Sequence, residues 1–127
     1  MKSSAETLAQ QQLDAYNNRD IDAFALCYAD DIELMHQHSG EVFCSGIDAL
    51  RQRYGAMFAA TPNLHCTLVS RMVCGNFAID EEHVRGMAAA NEDGSEDIIH
   101  AIAIYEVQDN RIRRAWFMRE VLAGGVQ

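Results

Sequence analysis

A chain of 127 residues, 49% of them hydrophobic, is long enough for one domain with a real core and too apolar to be disordered. Its formal net charge of −9 argues against nucleic acid and anionic membrane surfaces as partners, since both require a positive field. The N-terminus MKSSAETLAQQQ has no apolar signal core and no apolar run is long enough to span a bilayer, so a cytoplasmic protein is expected.

Ser3-Ser4-Ala5-Glu6 has capping-box spacing and opens a helix whose buried stripe is Ala5, Leu8, Ala9, Leu13 and Tyr16. Gln12 falls on the same stripe, either as a core-edge amide bonded to backbone or as a donor facing a pocket. After the Asn17-Asn18-Arg19 turn, Asp20 caps a second helix with Ile21, Phe24, Ala25 and Tyr28 on its apolar side, ending at Asp30-Asp31. Ile32 to Gln37 alternates as a strand, with Ile32, Leu34 and His36 on one face. A turn at His38-Ser39-Gly40-Glu41 leads to a short return strand, Val42 to Cys44. A third helix runs from Ile47 to about Ala60, where Thr61-Pro62 stops it, because proline disfavours helix at the residue before it.

Beyond Pro62 the period changes to two. Strands are expected at 64–74, 77–90, 97–107 and 111–121, joined by turns at Gly75-Asn76, Asn91 to Glu96 and Gln108 to Asn110. Short turns between long strands give antiparallel neighbours, and long strands in a small sheet bend. The expectation is a single α+β domain over 1–127: a cone-shaped, curved antiparallel sheet of about six strands, covered by three helices from the N-terminal half. The run IIHAIAIYEV at 98–107 is apolar on both faces, as in a strand buried on both sides. Its outer residues Ile98, His100, Ile102 and Ile104 are expected in a homodimer contact, since an exposed apolar patch of that kind marks an interface.

The order of elements resembles the nuclear transport factor 2-like superfamily, in its SnoaL-like and ketosteroid isomerase-like branch. The residues that carry the resemblance are AYNNRDIDAFALCYADDIEL at 15–34, SGIDALRQRY at 45–54 and IAIYEVQDNRIRRAWF at 102–117. The resemblance implies a cystatin-like α+β barrel with a pocket between helices and sheet, and dimerisation through the outer sheet face. It also implies site positions. His36 falls where the steroid isomerases carry their aspartate base, Gln12 where they carry a tyrosine, and Ala103 where they carry an acid. Alanine cannot donate a hydrogen bond and glutamine is a much weaker acid than tyrosine, so isomerisation of steroids by that mechanism is not expected.

His36 on an inward face is the first candidate for chemistry, as a base, because imidazole suits proton transfer near neutrality. The second is the set Glu81, His83 and Arg85, which with Phe77, Ile79 and Met87 share one face of the 77–90 strand; inward they could bind an anionic group and move a proton, outward they are a solvated patch. Glu82 lies on the opposite face in either case. On the last strand, Trp116 and Met118 share one face and Ala115 and Phe117 the other, and a bulge would exchange the two. The expected pocket is lined by Gln12, Tyr16, Tyr54, Phe58, Ala103 and Trp116. His36 and His38 are expected on opposite faces, the four cysteines (Cys27, Cys44, Cys66, Cys74) contain no CxxC pair and are expected as small buried hydrophobes, and no nucleotide motif is present. Neither metal nor cofactor is therefore expected. Two functional readings stand. One is a cofactor-free isomerase, dehydratase or hydrolase acting on a small apolar or weakly anionic molecule. The other is a non-catalytic ligand-binding or dimeric interaction domain.

Overall fold

The computed structural model describes residues 3–88 and 91–122. Helix α1 (Ser4–Asn17) starts where the capping box predicts: the Ser3 hydroxyl accepts the Glu6 N–H at 3.1 Å. Its buried side is Ala5, Leu8, Ala9, Gln12, Leu13 and Ala15. Helix α2 (Ile21–Leu26) is capped by the Asp20 carboxylate, which accepts the Ala23 N–H at 3.1 Å. It is shorter than its apolar periodicity predicts. Tyr28 is not helical; it opens strand β1 (Tyr28–His36), because the Cys27 carbonyl accepts the Ile112 N–H and the chain is drawn into the sheet at that point. Strand β2 (Val42–Ser45) and helix α3 (Ile47–Ala60) follow.

Four long strands complete the chain: β3 (His65–Cys74), β4 (Phe77–Arg85), β5 (Ile98–Gln108) and β6 (Arg111–Leu122). They form the expected antiparallel meander. Asp109 and Asn110, both at positive φ (53° and 61°), make the tight β5–β6 turn. The six-stranded sheet runs β2-β1-β6-β5-β4-β3. It is mixed rather than wholly antiparallel, because β1 lies parallel to β6. That pairing joins opposite ends of the chain, and no turn signal announces it. Among the described residues, no helix is long and apolar enough to cross a membrane.

Strand β4 stops at Arg85 instead of continuing to 90. Gly86 has φ +79°, and a Cβ there would meet the Asn63 carbonyl oxygen at 2.2 Å, so the backbone turns away at a point where two segments nearly touch. Residues 89 and 90 of the expected strand lie outside the described residues. The AYNNRD turn fastens the start of β3: the Asn17 amide donates to the Cys66 carbonyl and accepts the Cys66 N–H, and Arg19 donates to the Leu64 carbonyl. Cys27, Cys44 and Cys66 are buried and unpaired. Cys74 is also unpaired but exposed, contrary to expectation, because it lies on the outer sheet face at the end of the β3–β4 hairpin.

Along β5, Ala103, Tyr105 and Val107 turn to the helices, and His100, Ile102 and Ile104 to the outside, as the alternation predicts; Ile98 lies on that outer side by register but is already buried within the chain, contrary to its expected place in an exposed patch. The register builds an outer row of apolar residues across five strands: Met72, Ile79, Ile104, Trp116 and Met35. Below it runs a charged row in which Arg114 reaches both Glu33 and Glu106. On the other side His100 is held between the Glu81 and Glu120 carboxylates, each at 2.8 Å.

Candidate functional site

Between the helices and the concave side of the sheet lies a cavity of about 540 Å³, within the range of ~300–1,000 Å³ typical of small-molecule sites. An aromatic group closes its inner end. The Phe24 ring lies 4.9 Å from both Tyr28 and Tyr54 and 5.6 Å from Phe58. Helix spacing places Phe24 and Tyr54 here, while Tyr28 arrives from the first residue of β1.

Gln12 and Tyr28 meet on the cavity wall. The Tyr28 hydroxyl donates to the Gln12 side-chain oxygen at 3.2 Å, and the Gln12 amide donates to the Ala9 carbonyl at 3.0 Å. Gln12 thus fills both roles weighed for it: bonded to backbone and facing the pocket. Burial raises the pKa of Tyr16, Tyr28 and Tyr105, and pushes Tyr54 up to about 12, so these phenols stay protonated as donors.

The acid of the cavity is Glu82. It is 7% exposed and borders the cavity with Cys66 and Tyr105. Burial away from water, reinforced by the negative charge of Asp80, pushes its carboxyl up to about 7; the Cys66 thiol and the Arg71 guanidinium pull more weakly the other way. Asp80 is fully buried two residues earlier on the same face of β4. Arg71, directly opposite on β3, holds it in a two-pronged pair (2.7 and 2.9 Å) and also donates to the Gln10 side chain.

The inward face of β4 is therefore Ala78, Asp80, Glu82 and Val84, the reverse of the parity that would bring His83 and Arg85 inside. His83 packs edge-on against His100 on the outer face, and Arg85 pairs with Glu96. The physical reason is Arg71: a cross-strand guanidinium neutralises Asp80, so a face carrying two carboxyls can be buried. Among the described residues Glu82 makes no ion pair, and its hydrogen-bond partner is the Cys66 thiol.

At the opening, His36 ends β1 beside Phe117 and stacks on Phe43, ring centroids 4.6 Å apart. His38 does not point away. Residues two apart on a strand share a face, and even with the turn beginning at Gln37 the two imidazoles both line the cavity, 5.7 Å apart. Arg53 lies over the Phe43 ring at 4.8 Å, and Arg119 reaches the cavity from β6. Among the described residues, no group of three or more His, Cys, Asp and Glu side chains gathers as metal ligands would.

Tyr16 and Tyr54 line the cavity with Gln12 and His36. Three expected lining residues do not. Phe58 stands behind the wall, edge-on to Tyr16. Ala103 is fully buried opposite Asp80. Trp116 is on the outer face near Phe77, and Phe117 takes the inner side, because the β6 register pairs Phe117 with the inward Ala103. Glu82, Arg53 and Arg119 were not among the sequence candidates. A signal for the first existed: a hairpin turn at Gly75-Asn76 puts Arg71 opposite Asp80, an arrangement that favours burial of this face.

The SnoaL-like domain family matches residues 9–115. No curated protein matches. Among solved structures, an uncharacterised cystatin-fold protein from Novosphingobium aromaticivorans is 24% identical, covers 94% of this chain and 100% of its own, and superposes with a TM-score of 0.80. A Kribbella flavida protein provisionally named a ketosteroid isomerase is 16% identical, covering 92% and 78%, with a TM-score of 0.72. A Sinorhizobium meliloti protein provisionally named a polyketide cyclase is 19% identical, covering 92% and 100%, with a TM-score of 0.67. These identities speak to the fold. With the family matched over most of its length and the cavity formed between three helices and a curved six-stranded sheet, the chain belongs to the SnoaL-like domain family.

Proposed function

We propose that this protein is a cofactor-free enzyme that moves protons on a small, largely apolar molecule bearing a carbonyl or hydroxyl group, in an isomerisation, dehydration or hydrolysis. The observation that carries the reading is Glu82, a buried carboxyl on the wall of a mostly apolar cavity, where burial and the charge of Asp80 push it up to about 7. A group with that pKa can give and take a proton at neutral pH, and proton transfer by a positioned group contributes about 10²–10⁴-fold. Tyr16 and Tyr105, which line the same cavity and whose hydroxyls are not spent on Gln12 as that of Tyr28 is, are donors that would meet negative charge developing on a substrate oxygen. His36, at the other end of the cavity, serves as the second proton-transfer group, in the role of base. The names given to the Kribbella flavida and Sinorhizobium meliloti proteins are compatible with such chemistry, but the site is argued from this chain's own residues.

The test uses carbon acids. Wild-type protein in D₂O with 2-tetralone or 3-cyclohexenone should speed deuterium uptake at the α-carbon above the buffer rate, read by proton NMR. Glu82→Gln should abolish the acceleration and His36→Ala should lower it. Binding of these ketones, seen by thermal shift, with no exchange by the wild type would favour the second reading, a ligand-binding domain without catalysis. Ala103 favours that reading, since it offers no proton where the resemblance expects an acid.

The protein is further proposed to act as a homodimer through the outer sheet face, in the cytoplasm, as one domain over its whole length. The apolar row Met72, Ile79, Ile104, Trp116 and Met35, flanked by charged rows, supports the contact; Ile98, His100 and Ile102 lie on the same face.

A further inference from the structure

The charge on the cavity wall runs against the charge of the chain. In a protein of net charge −9, Glu82 is, among the described residues, the single carboxyl bordering the cavity, while two guanidiniums, Arg53 and Arg119, border it as well. Arg51, Arg71, Arg85, Arg113 and Arg114 each sit against a carboxylate. Arg19 and Arg111 donate to backbone carbonyls. Among the described residues, Arg53 and Arg119 make neither an ion pair nor a hydrogen bond; Arg53 has only the Phe43 ring beneath it. With 19 acidic residues in the chain, leaving unpaired the two arginines that share a cavity is a specific arrangement.

The cavity is also graded. Its exposed lining residues include Arg53, Arg119 and His38, which mark the mouth, and its buried ones, Phe24, Tyr28, Glu82 and Tyr105, mark the floor. The field of Arg119 reaches inward as far as Tyr16 and Tyr54. Guanidinium forks match a carboxylate in shape, and a desolvated apolar body beneath them matches the aromatic floor.

Resting on the reading that this cavity holds a ligand, we infer that the ligand is an amphipathic carboxylic acid, with its apolar body against the aromatic floor and its carboxylate at the mouth between Arg53 and Arg119. The reacting carbon then lies deep, next to Glu82, and the carboxylate serves as a handle that sets the orientation. Such a handle supplies binding energy remote from the reacting atoms.

Matched probes test it: 2-naphthylacetate and 2-naphthylacetamide, equal in shape and different in charge, titrated calorimetrically near pH 6.5. The acid should bind at least about tenfold tighter than the amide, in line with charge-assisted hydrogen bonds. Arg53→Gln and Arg119→Gln should each reduce that preference by about fivefold, and the double variant should erase it. Arg51→Gln, whose guanidinium pairs with Asp22 instead, should leave it intact. Raising KCl should weaken the acid and spare the amide. Equal binding of acid and amide overturns the inference, as does a preference that survives the double variant. Absence of binding by either probe at millimolar concentration also overturns it for this ligand class. Failure here leaves the deuterium-exchange result standing, because that experiment uses neutral ketones and reads Glu82.

Discussion

Glu82→Gln tests the electrostatics of the cavity through stability alone, with no substrate needed. Glu82 titrates at about 7 in the folded chain against its ordinary 4.5. The sign follows from proton counts. Between these values the folded chain binds more protons at this site than the unfolded chain does, so its stability falls as pH rises, and it is fully present only below about 4.5. The gap corresponds to about 3 kcal/mol, lost between about pH 4.5 and 7 and constant above. His100 contributes in the same direction, because Glu120 and Glu81 raise its pKa; the stability of its protonated form is lost as pH rises through the raised value. Subtracting the variant's urea-unfolding free energy from the wild type's at each pH removes the His100 part, since His100 is on the outer face. The difference should favour the variant increasingly from pH 4.5 to 8, by about 3 kcal/mol in total. Two curves that stay parallel across this range would refute the claim that Glu82 is a desolvated acid, and with it the basis for its role in proton transfer.

Four further outcomes follow from the structure. Arg71→Met leaves Asp80 buried and unpaired, and should destabilise the protein by about 3–5 kcal/mol in urea unfolding; Asp80→Asn in the same chain should restore part of that. Gly86→Ala adds strain of about 1–3 kcal/mol at φ +79° and a clash with the Asn63 carbonyl, whereas Gly94→Ala, at φ +88° with open space, should show the strain alone in the same measurement. Ile102→Asp should turn a dimer into monomers by light scattering; a wild type already monomeric at micromolar concentration sinks the proposed contact. His36→Ala loses a ring stacked on Phe43 near the opening, and should shift stability by no more than about 1 kcal/mol while lowering turnover.

How far the sequence reached depended on how local the deciding interaction was. Helix α1, its Ser3 cap, the Asp20 cap of α2 and the stop at Pro62 are settled within a few residues, and each was legible. So was the meander after Pro62, because short turns leave its strands only antiparallel neighbours. The facing of β5 came from the resemblance, which puts Ala103 at a site position, since with both sides apolar alternation alone leaves the choice open. The odd and even residues of β4 are equal mixtures of apolar and charged groups, so alternation alone could not orient it. A guanidinium nine residues away decided it, by making Asp80 tolerable in the core and carrying Glu82 inside with it. The parallel β1–β6 pairing, the conversion of Tyr28 from helix to strand, and the meeting of Arg53 from α3 with Arg119 from β6 at one cavity all join residues far apart in the chain. Periodicity records which residues share a face of one element. Which faces meet, and which charges then lack a partner, is decided by tertiary packing.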